Sequence, residues 1–237
     1  MKAMILAAGL GNRMRPLTLH TPKPLLPVAD KPLIVWHIEK LKAIGIHEIV
    51  INTAWLADRL VEELGNGEQL GVKILWSHEG EGLETAGGII RALPLLGQDP
   101  FILVNGDVWT SMDFADFKHV SLLQDSNSDM LAHLFLVDNP PQHPKGDFVL
   151  DNGRVLSFDQ ADAQQVNAQA LTYSGLAVLD PQLFAGLEQG KRPLAPLLIQ
   201  AMQHKQVSGQ KLRGEWVDVG TPERLNALDQ QLRQQNT

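Results

Sequence analysis

The chain contains near its start the sequence MILAAGLGNRMRPLTLHTPK (residues 4–23), in which a short apolar run ends in glycines and continues into a loop rich in arginine and proline. The apolar residues 4–8 before Gly9 predict a buried strand. Glycines directly after a strand let backbone N–H groups approach the oxygens of a phosphate, because no Cβ is in the way. This stretch therefore predicts an α/β fold with an anion-binding loop after its first strand.

Strands and helices alternate through the first half of the chain. The predicted strands are 4–8, 48–53, 72–76 and 101–105, and the predicted helices are 34–44, 55–64 and 85–94. Strands that alternate with helices of about ten residues indicate βαβ units, a parallel sheet and helices on both of its faces.

The pattern is less regular after residue 137. The predicted strands there are 147–150, 154–158, 172–179 and 206–213, and the predicted helices are 193–203 and a last one with Thr221 as N-cap and Pro222 as its first residue. No linker is long enough to separate two domains. We expect a single-domain, Rossmann-like fold with a mixed, mostly parallel central sheet flanked by helices. Its first half (about 1–137) would bind a nucleotide, and its second half (about 138–237) would supply a second substrate site.

Composition and charge exclude several classes of protein. The chain has 237 residues, a net charge of −7 and no cysteine, which excludes a disulfide scaffold, a cysteine-ligated zinc site and a catalytic thiol and fits a reducing cytoplasm. An acidic chain argues against nucleic acid as a partner, and no apolar run reaches the roughly 18 residues of a membrane span.

Residues 1–31 nevertheless carry a net charge of +4, which fits either a solvated basic loop or a segment that holds a small anion. The sequence carries no signal for an oligomeric state.

Two phosphate-binding motifs can be tested against the glycine loop. The P-loop pattern is absent, because no Gly-Lys-Ser/Thr follows Gly9 and Gly11. The dinucleotide pattern G-x-G-x-x-G is met only in part, since Met14 stands at its third glycine and four prolines exclude the regular helix that should follow. A dehydrogenase is therefore disfavoured.

Three cations follow the glycines of this loop. Arg13 and Arg15 can each offer a bidentate fork to phosphate oxygens, and Lys23 offers a point charge. The prolines on both sides of Lys23 restrict the backbone there, which suits a charge that has to be held in place.

The runs LAAGLGNRMRPLT (residues 6–18) and PKPLLPV (residues 22–28) resemble the signature of the sugar-1-phosphate nucleotidylyltransferases, although the family usually has Thr at Asn12 and Leu at Met14. The resemblance implies an enzyme that binds a nucleoside triphosphate in this loop. The nucleotide contacts that it implies come from Leu6, Ala8, Gly9, Gly11, Asn12, Arg13, Arg15, Lys23, Glu79 and Gly87. Arg15 and Lys23 would contact the phosphates and, with Asp107, form the catalytic group.

Two aspartates lie at predicted strand ends. Asp107 follows the apolar strand 101–104, and Asp218 lies between two valines in WVDVGTP (residues 216–222). Carboxylates together with phosphate oxygens are ligands that Mg²⁺ prefers. The resemblance implies that both aspartates bind Mg²⁺ while the phosphate of a sugar 1-phosphate attacks the α-phosphorus in line and pyrophosphate leaves.

The base and the sugar are less clearly marked. The resemblance implies that Glu79 reads the base edge, but a carboxylate can accept N–H groups from uracil or from guanine. The form LETAGG (residues 83–88), with Glu84 where the family has Gly, is similar to the uridylyltransferases that act on N-acetylmuramate 1-phosphate in peptidoglycan recycling. UTP and that sugar phosphate are therefore the expected substrates. Mannose or glucose 1-phosphate with GTP, UTP or dTTP is an alternative, and a non-catalytic nucleotide-sensing module is another.

The residues that the resemblance places on the sugar are Asn105, Gly146, Asp147, Asp159, Tyr173 and Gly175. Relatives often have Glu-Lys-Pro where this chain has residues 159–161 (DQA), so the lysine that would meet the sugar phosphate is missing. The lactyl carboxylate of a muramic acid also needs a donor, for which Lys145, Arg154 and Arg213 are candidates. Trp109 and Trp216 either face the sugar or pack in the core.

Overall fold

A nine-stranded mixed β-sheet forms the centre of the part of the chain that the structure describes. The structure is a computed structural model, and it describes residues 1–120, 122, 129–161 and 168–235. The strands are β1 (Ala3–Leu6), β2 (Pro27–Val28), β3 (Lys31–Pro32), β4 (Glu48–Thr53), β5 (Lys73–His78), β6 (Phe101–Asn105), β7 (Val108–Thr110), β8 (Ala132–Val137), β9 (Phe148–Asp151), β10 (Arg154–Leu156), β11 (Gln169–Leu179), β12 (Val207–Lys211) and β13 (Trp216–Asp218). The helices are α1 (Leu33–Ala43), α2 (Ala57–Leu64), α3 (Glu84–Leu96), α4 (Ala195–Gln203) and α5 (Pro222–Gln235). None of these helices is long and apolar enough to cross a bilayer.

The order of the strands across the sheet is β5-β4-β1-β6-β11-β8-β12-β10-β9. Strand β1 pairs in parallel with β4 and β6, and β4 pairs in parallel with β5. In the other half β12 and β8 are parallel, whereas the remaining pairs are antiparallel. The mixed α/β sheet predicted from the sequence is therefore present. Its parallel part coincides with the regular alternation of strands and helices in residues 1–105.

Helices cover both faces of the parallel half, as predicted. Along β1, Ala3 and Ile5 pack with α1 and α2 in one core, and Met4 packs with α3 and α4 in another. Because successive side chains of a strand point to opposite faces, a strand covered on both faces has to be apolar throughout. This is the reason for the continuous apolar run that opens the chain.

Most predicted elements lie within a few residues of the observed ones, and the first strand shows why the ends differ. It was expected over residues 4–8 but ends at Leu6. The N–H of Ala7 donates to Asn52 Oδ1 at 2.7 Å instead of to a neighbouring strand. A side-chain acceptor from β4 therefore draws the chain out of the sheet and into the glycine loop.

The sequence does not predict β7 and β13, which are three residues each. They form a separate two-stranded sheet in which Asp218 lies opposite Val108. Such short pairings leave no periodic signal in the sequence, but they decide where both predicted metal ligands lie.

Strand β11 bends at Gly175. Residues 169–171 pair with β9, whereas residues 176–179 pair with β6 and β8 after a shift in register. Gly175 has a φ of +82°, and a Cβ there would lie 2.7 Å from Asn105 Nδ2. A glycine is needed because the bend brings β11 directly against the end of β6.

His37 connects α1 to β7. Its Nε2 donates to the carbonyl of Val108 at 2.8 Å, and its buried ring stacks on Phe114. Burial lowers the pKa of His37 to about 4, although the hydrogen bond to Val108 acts in the opposite direction. Burial also lowers the pKa of His133 to about 4.

We expect the free energy of unfolding to decrease as the pH is lowered from about 6.5 towards 4. In this range the unfolded chain binds a proton at His37 and the folded protein does not, which costs up to about 3 kcal/mol of stability. Urea unfolding at a series of pH values measures this slope. His37→Gln keeps a donor for Val108 and removes the titration, so its curve should be flatter. The surface variant His204→Gln is the control, and a His37→Gln curve as steep as that of the wild type would contradict the assignment.

Candidate active site

Three neighbouring cavities share lining residues, and the first of them lies beyond the carboxyl ends of β1, β4 and β6, where parallel sheets carry their binding sites. The first has a volume of about 450 Å³, the second about 230 Å³ and the third about 440 Å³. Asn105 and Asp107 line both the first and the second cavity. The residues shared by the second and the third are Pro140, Gln142, Trp216 and Asp218. The arrangement provides two neighbouring compartments that meet at the end of β6, and a third compartment behind them.

Most of the residues expected to bind a nucleotide line the first cavity. They are Leu6, Ala8, Gly9, Gly11, Asn12, Arg13, Lys23 and Glu79. Arg15, which the resemblance also places on the phosphates, is exposed and does not line this cavity. A contact between Arg15 and a phosphate therefore requires the side chain to turn inwards, and its catalytic role stays a prediction.

The glycine loop is closed by Thr18. The hydroxyl of Thr18 donates to the carbonyl of Gly11 at 2.8 Å, and Gly11 has a φ of +62°. A Cβ on Gly11 would lie 2.8 Å from Thr18 Cγ2. The loop is thus a tight turn that only glycine allows at Gly11, and residues 8–11 line the cavity.

Lys23 is a buried cation at the border of the first cavity. Its side chain is 9% exposed, and its Nζ lies 2.8 Å from Asp107 Oδ2. The short 3₁₀ helix Lys23–Leu25 and the flanking prolines fix the backbone that carries it. The structure therefore brings together two of the three predicted catalytic residues.

The turn after β6 directs Asn105 and Asp107 to the border between the first two cavities. The N–H of Gly106 donates to the carbonyl of Leu6 at 2.9 Å, and a Cβ on Gly106 would lie 2.5 Å from that oxygen. Asn105 Oδ1 is buried and has no hydrogen-bond partner among the described residues. An unsatisfied buried acceptor at this place is a site for a donor from a ligand.

Asp218, near the C-terminal end of the chain, lines the second cavity together with Asp107. Strand β13 pairs with β7, and the N–H of Val219 donates to the carbonyl of Asp107 at 3.0 Å. Asp218 Oδ2 accepts from Nη1 of Arg224 at 2.6 Å, and both side chains are about one quarter exposed. The sequence analysis did not identify Arg224, because a lone arginine in the first turn of a helix carries no signal by itself.

The two aspartates fit a divalent cation that a phosphate helps to hold. In the described part of the chain, Oδ1 of Asp107 and Oδ1 of Asp218 accept no hydrogen bond, so each carboxylate keeps an oxygen for a ligand. Within the described ranges, no group of three or more His, Cys, Asp or Glu side chains is placed to hold a metal ion by itself. Mg²⁺ commonly takes one or two carboxylates and completes its shell with water and substrate phosphates, which this donor set allows.

Glu79 is buried at the first cavity in a hydrogen-bond network. Its Oε1 accepts from Asn52 Nδ2 at 2.6 Å, and its Oε2 accepts from the N–H of Leu83 at 2.9 Å. Asn52 in turn accepts from the N–H of Ala7 and also lines the cavity. Sequence analysis missed Asn52, although an amide inside the buried strand EIVINT (residues 48–53) was an available signal.

We expect Asn52→Leu to lower the free energy of unfolding by about 2 kcal/mol or more, because it leaves the buried N–H of Ala7 and the Oε1 atom of Glu79 without partners. Urea unfolding measures the change. Asn226→Leu, on the exposed face of α5, is the matched control and should stay within about 0.5 kcal/mol of the wild type. Equal stabilities of the two variants would show that the network does not support the fold.

Gly87 packs against a loop and not against the first cavity. A Cβ there would lie 2.3 Å from the carbonyl of Gly190, and the N–H of Gly87 donates to the carbonyl of Arg192 at 3.1 Å. The loop places Lys191 at the edge of the cavity, near Glu84. The close packing on residues 190–192 explains the glycine, and the implied contact with a base stays a prediction.

The residues predicted to bind a sugar divide into two groups. Asn105, Tyr173 and Gly175 line the second cavity, whereas Gly146, Asp147 and Asp159 do not. The hydroxyl of Tyr173 is buried without a partner among the described residues, and burial raises the pKa of Tyr173 above its usual range. Because Tyr173 packs against the core beside α3 and α4, this hydroxyl is a buried donor that is unsatisfied within the described part of the chain.

Asp147 supports the second cavity from behind. It accepts from the N–H of Tyr173 at 2.8 Å and from Nε2 of His143 at 2.9 Å, and His143 itself lines the cavity. Asp147 thus contacts the lining residues Tyr173 and His143, and its own contact with the sugar stays a prediction. Asp159 is exposed and lines none of the three cavities.

The two tryptophans have different places. Trp216 lines the second and third cavities, and its Nε1 donates to the carbonyl of Ser174 at 2.8 Å. Trp109 is buried in a core cluster and packs edge-on against Trp36. Of the two alternatives left open by the sequence, packing therefore holds for Trp109.

The sequence profile of the nucleotidyl transferase family matches residues 2–235. The chain belongs to this family. The resemblance predicted from the glycine loop is thereby confirmed, and the protein is a nucleotidyltransferase, not a dehydrogenase.

This nucleotidyltransferase is similar to several known proteins. It is 53% identical to the N-acetylmuramate alpha-1-phosphate uridylyltransferase of Neisseria meningitidis serogroup B, over 95% of each chain. It is 30% identical to the mannose-1-phosphate guanylyltransferase catalytic subunit beta of Xenopus tropicalis, over 94% of this chain and 62% of the relative. Its fold matches a crystal structure of a proposed glucose-1-phosphate thymidylyltransferase from Bacillus anthracis with a TM-score of 0.80 and 22% identity, covering 98% and 95% of the two chains.

Proposed function

We propose that this nucleotidyltransferase transfers the uridylyl group of UTP to N-acetylmuramate 1-phosphate with the help of Mg²⁺, and that pyrophosphate is released. The proposal rests on the contact between the first two cavities at Asn105 and Asp107. Transfer between two substrates needs two adjoining binding sites, so that the reacting groups of the substrates lie next to each other. The choice of substrates rests on the 53% identical relative and on the similar LETAGG motif. The product would serve peptidoglycan recycling in the cytoplasm.

The reaction needs alignment and charge neutralisation rather than a general base. A phosphate monoester has a second pKa of about 6, so the attacking oxygen of the sugar phosphate is already anionic at neutral pH. This oxygen forms a bond to the α-phosphorus of UTP, and the bond from that phosphorus to the bridging oxygen of pyrophosphate breaks. The two substrates repel each other, so the positive charge held at their border lowers the barrier.

The residues of the chain divide this task. The glycine turn presents the backbone of residues 8–11 to the triphosphate, and Lys23 offers its ammonium group at the border. Asp107 and Asp218 would hold Mg²⁺, which would neutralise charge on the phosphate oxygens and stabilise the leaving pyrophosphate. Glu79 and Asn52 line the first cavity, and the carboxylate of Glu79, which Asn52 holds in place, would accept the N3–H of uracil.

The function is tested with a panel of nucleoside triphosphates and sugar 1-phosphates, scored by pyrophosphate release with and without Mg²⁺. We expect the highest kcat/KM for UTP with N-acetylmuramate 1-phosphate and no turnover in EDTA. A higher kcat/KM for GTP with mannose 1-phosphate would overturn the substrate assignment. Tight binding of Mg–UTP without turnover on any sugar phosphate would favour a nucleotide sensor.

A further inference from the structure

The third cavity opens directly behind the second. It is larger than the second, and the two share Trp216 and Asp218 as well as Pro140 and Gln142. Neither the proposed transfer reaction nor the metal site needs this additional space. It is therefore a place for a part of the sugar that lies away from the phosphate.

Two cations line the third cavity. Arg224 is the more buried of the two. Its Nη1 donates to Asp218, and its other guanidinium N–H groups have no hydrogen-bond partner among the described residues. Lys211 lies 2.6 Å from Asp138, but this ion pair is solvated, with side chains that are 47% and 69% exposed. A solvated pair of this kind is worth little and can open for a ligand.

The cations suggested by sequence alone lie elsewhere. Lys145, Arg154 and Arg213 are exposed, and none of them lines any of the three cavities. Arg224 and Lys211 are therefore the basic residues that the described part of the chain offers to an anion behind the second cavity.

The position of the reacting phosphate orients the sugar. The phosphate on the anomeric carbon has to lie at the border of the first two cavities, near Asn105 and Asp107. The ring then occupies the second cavity, and substituents on the far carbons point into the third. N-acetylmuramate differs from N-acetylglucosamine by a lactyl ether on the third ring carbon, and this ether ends in a carboxylate.

The geometry points to a carboxylate subsite in the third cavity, in which Arg224 and Lys211 bind the lactyl group and thereby select N-acetylmuramate 1-phosphate. This inference rests on the proposed function and assigns its sugar specificity. An arginine held by one N–H to Asp218 is preorganised, and its remaining donors match the two oxygens of a carboxylate. When a sugar phosphate without the lactyl group binds, water solvates the donors of Arg224 instead. Such a substrate therefore binds more weakly than N-acetylmuramate 1-phosphate, although it causes no steric clash.

The test compares two substrates that differ only in the lactyl group. The quantity measured is the ratio of kcat/KM for N-acetylmuramate 1-phosphate to kcat/KM for N-acetylglucosamine 1-phosphate, with UTP and Mg²⁺ at saturation. The variants are Arg224→Gln and Lys211→Gln, and Arg154→Gln on the surface is the control. We expect Arg224→Gln to lower the ratio by roughly ten- to hundredfold, as the loss of a hydrogen bond to a charged group does. Lys211→Gln should lower it less, and Arg154→Gln should not change it.

The ratio separates this subsite from other roles of Arg224. If Arg224 acted only by positioning Asp218 or by binding the sugar phosphate, Arg224→Gln would lower both kcat/KM values by the same factor and leave their ratio unchanged. That result would overturn the subsite but not the proposed function. A lower kcat/KM ratio in the control variant Arg154→Gln would also overturn the subsite. A wild-type ratio below one overturns both the subsite and the choice of N-acetylmuramate. A ratio restored by Arg224→Lys, which keeps the charge, supports the subsite.

Discussion

Asp107→Asn should lower kcat by about a hundredfold or more, which corresponds to a barrier higher by roughly 3 kcal/mol. The asparagine keeps the size of the side chain but removes the negative charge that, in the proposed reaction, would hold Mg²⁺ at the border of the first two cavities. The loss should become smaller as the Mg²⁺ concentration is raised, because part of the effect is weaker metal binding. Steady-state kinetics over a Mg²⁺ titration measures both effects.

The control for this variant is Asp99→Asn, which removes an equal charge from an exposed loop and should leave kcat unchanged. Near-normal turnover of Asp107→Asn with Mg²⁺ would show that the two-aspartate site is wrong. Circular dichroism on both variants shows whether the protein remains folded, so that a loss of turnover is not mistaken for a loss of structure.

Lys23→Met should lower kcat/KM for UTP by about a hundredfold, because methionine keeps the buried stem and removes the ammonium group beside Asp107. Lys31→Met is the matched control, since Lys31 belongs to the same basic segment and pairs with Glu39 outside the three cavities. Equal effects of the two variants would contradict a specific role for Lys23.

The two large effects should not multiply. Lys23 and Asp107 are in direct contact, so the double variant Lys23→Met/Asp107→Asn is expected to lose less than the product of the two single losses. A double-mutant cycle on kcat/KM measures this coupling. If the effects of the two single variants multiply, the ion pair between Lys23 and Asp107 does not contribute to the reaction and exists only in the free enzyme.

The order of strands and helices in the parallel half could be read from the sequence because periodic burial leaves a periodic pattern. The run EIVINT (residues 48–53) and the run FILVN (residues 101–105) have the predicted bounds. The family and the chemistry of the glycine loop were also readable, since the turn at Gly11 and the run of cations from Arg13 to Lys23 depend on residue types in a short stretch.

The site contains residues that no sequence pattern marks. Asn52, His143 and Arg224 were not identified, because a single amide, histidine or arginine outside a motif gives little signal of its own. Asn52 acts through Glu79, which is 27 residues away, whereas His143 and Arg224 each bind an aspartate four and six residues away. Arg15 and Asp159, which the resemblance does place on the substrates, are exposed and line none of the cavities. A motif reports which residue types are present but not which way their side chains turn.

The sequence by itself determined the α/β class, the nucleotidyltransferase family and the identity of the loop that opens the chain. Tertiary structure decided that Asp107 and Asp218 meet, that the two compartments share Asn105, and that Arg224 faces a third compartment. The physical reason is the range of the interactions. Turns, apolar periodicity and loop charges are local, whereas the pairing of β7 with β13 and the bend of β11 depend on contacts between strands that are far apart in the sequence.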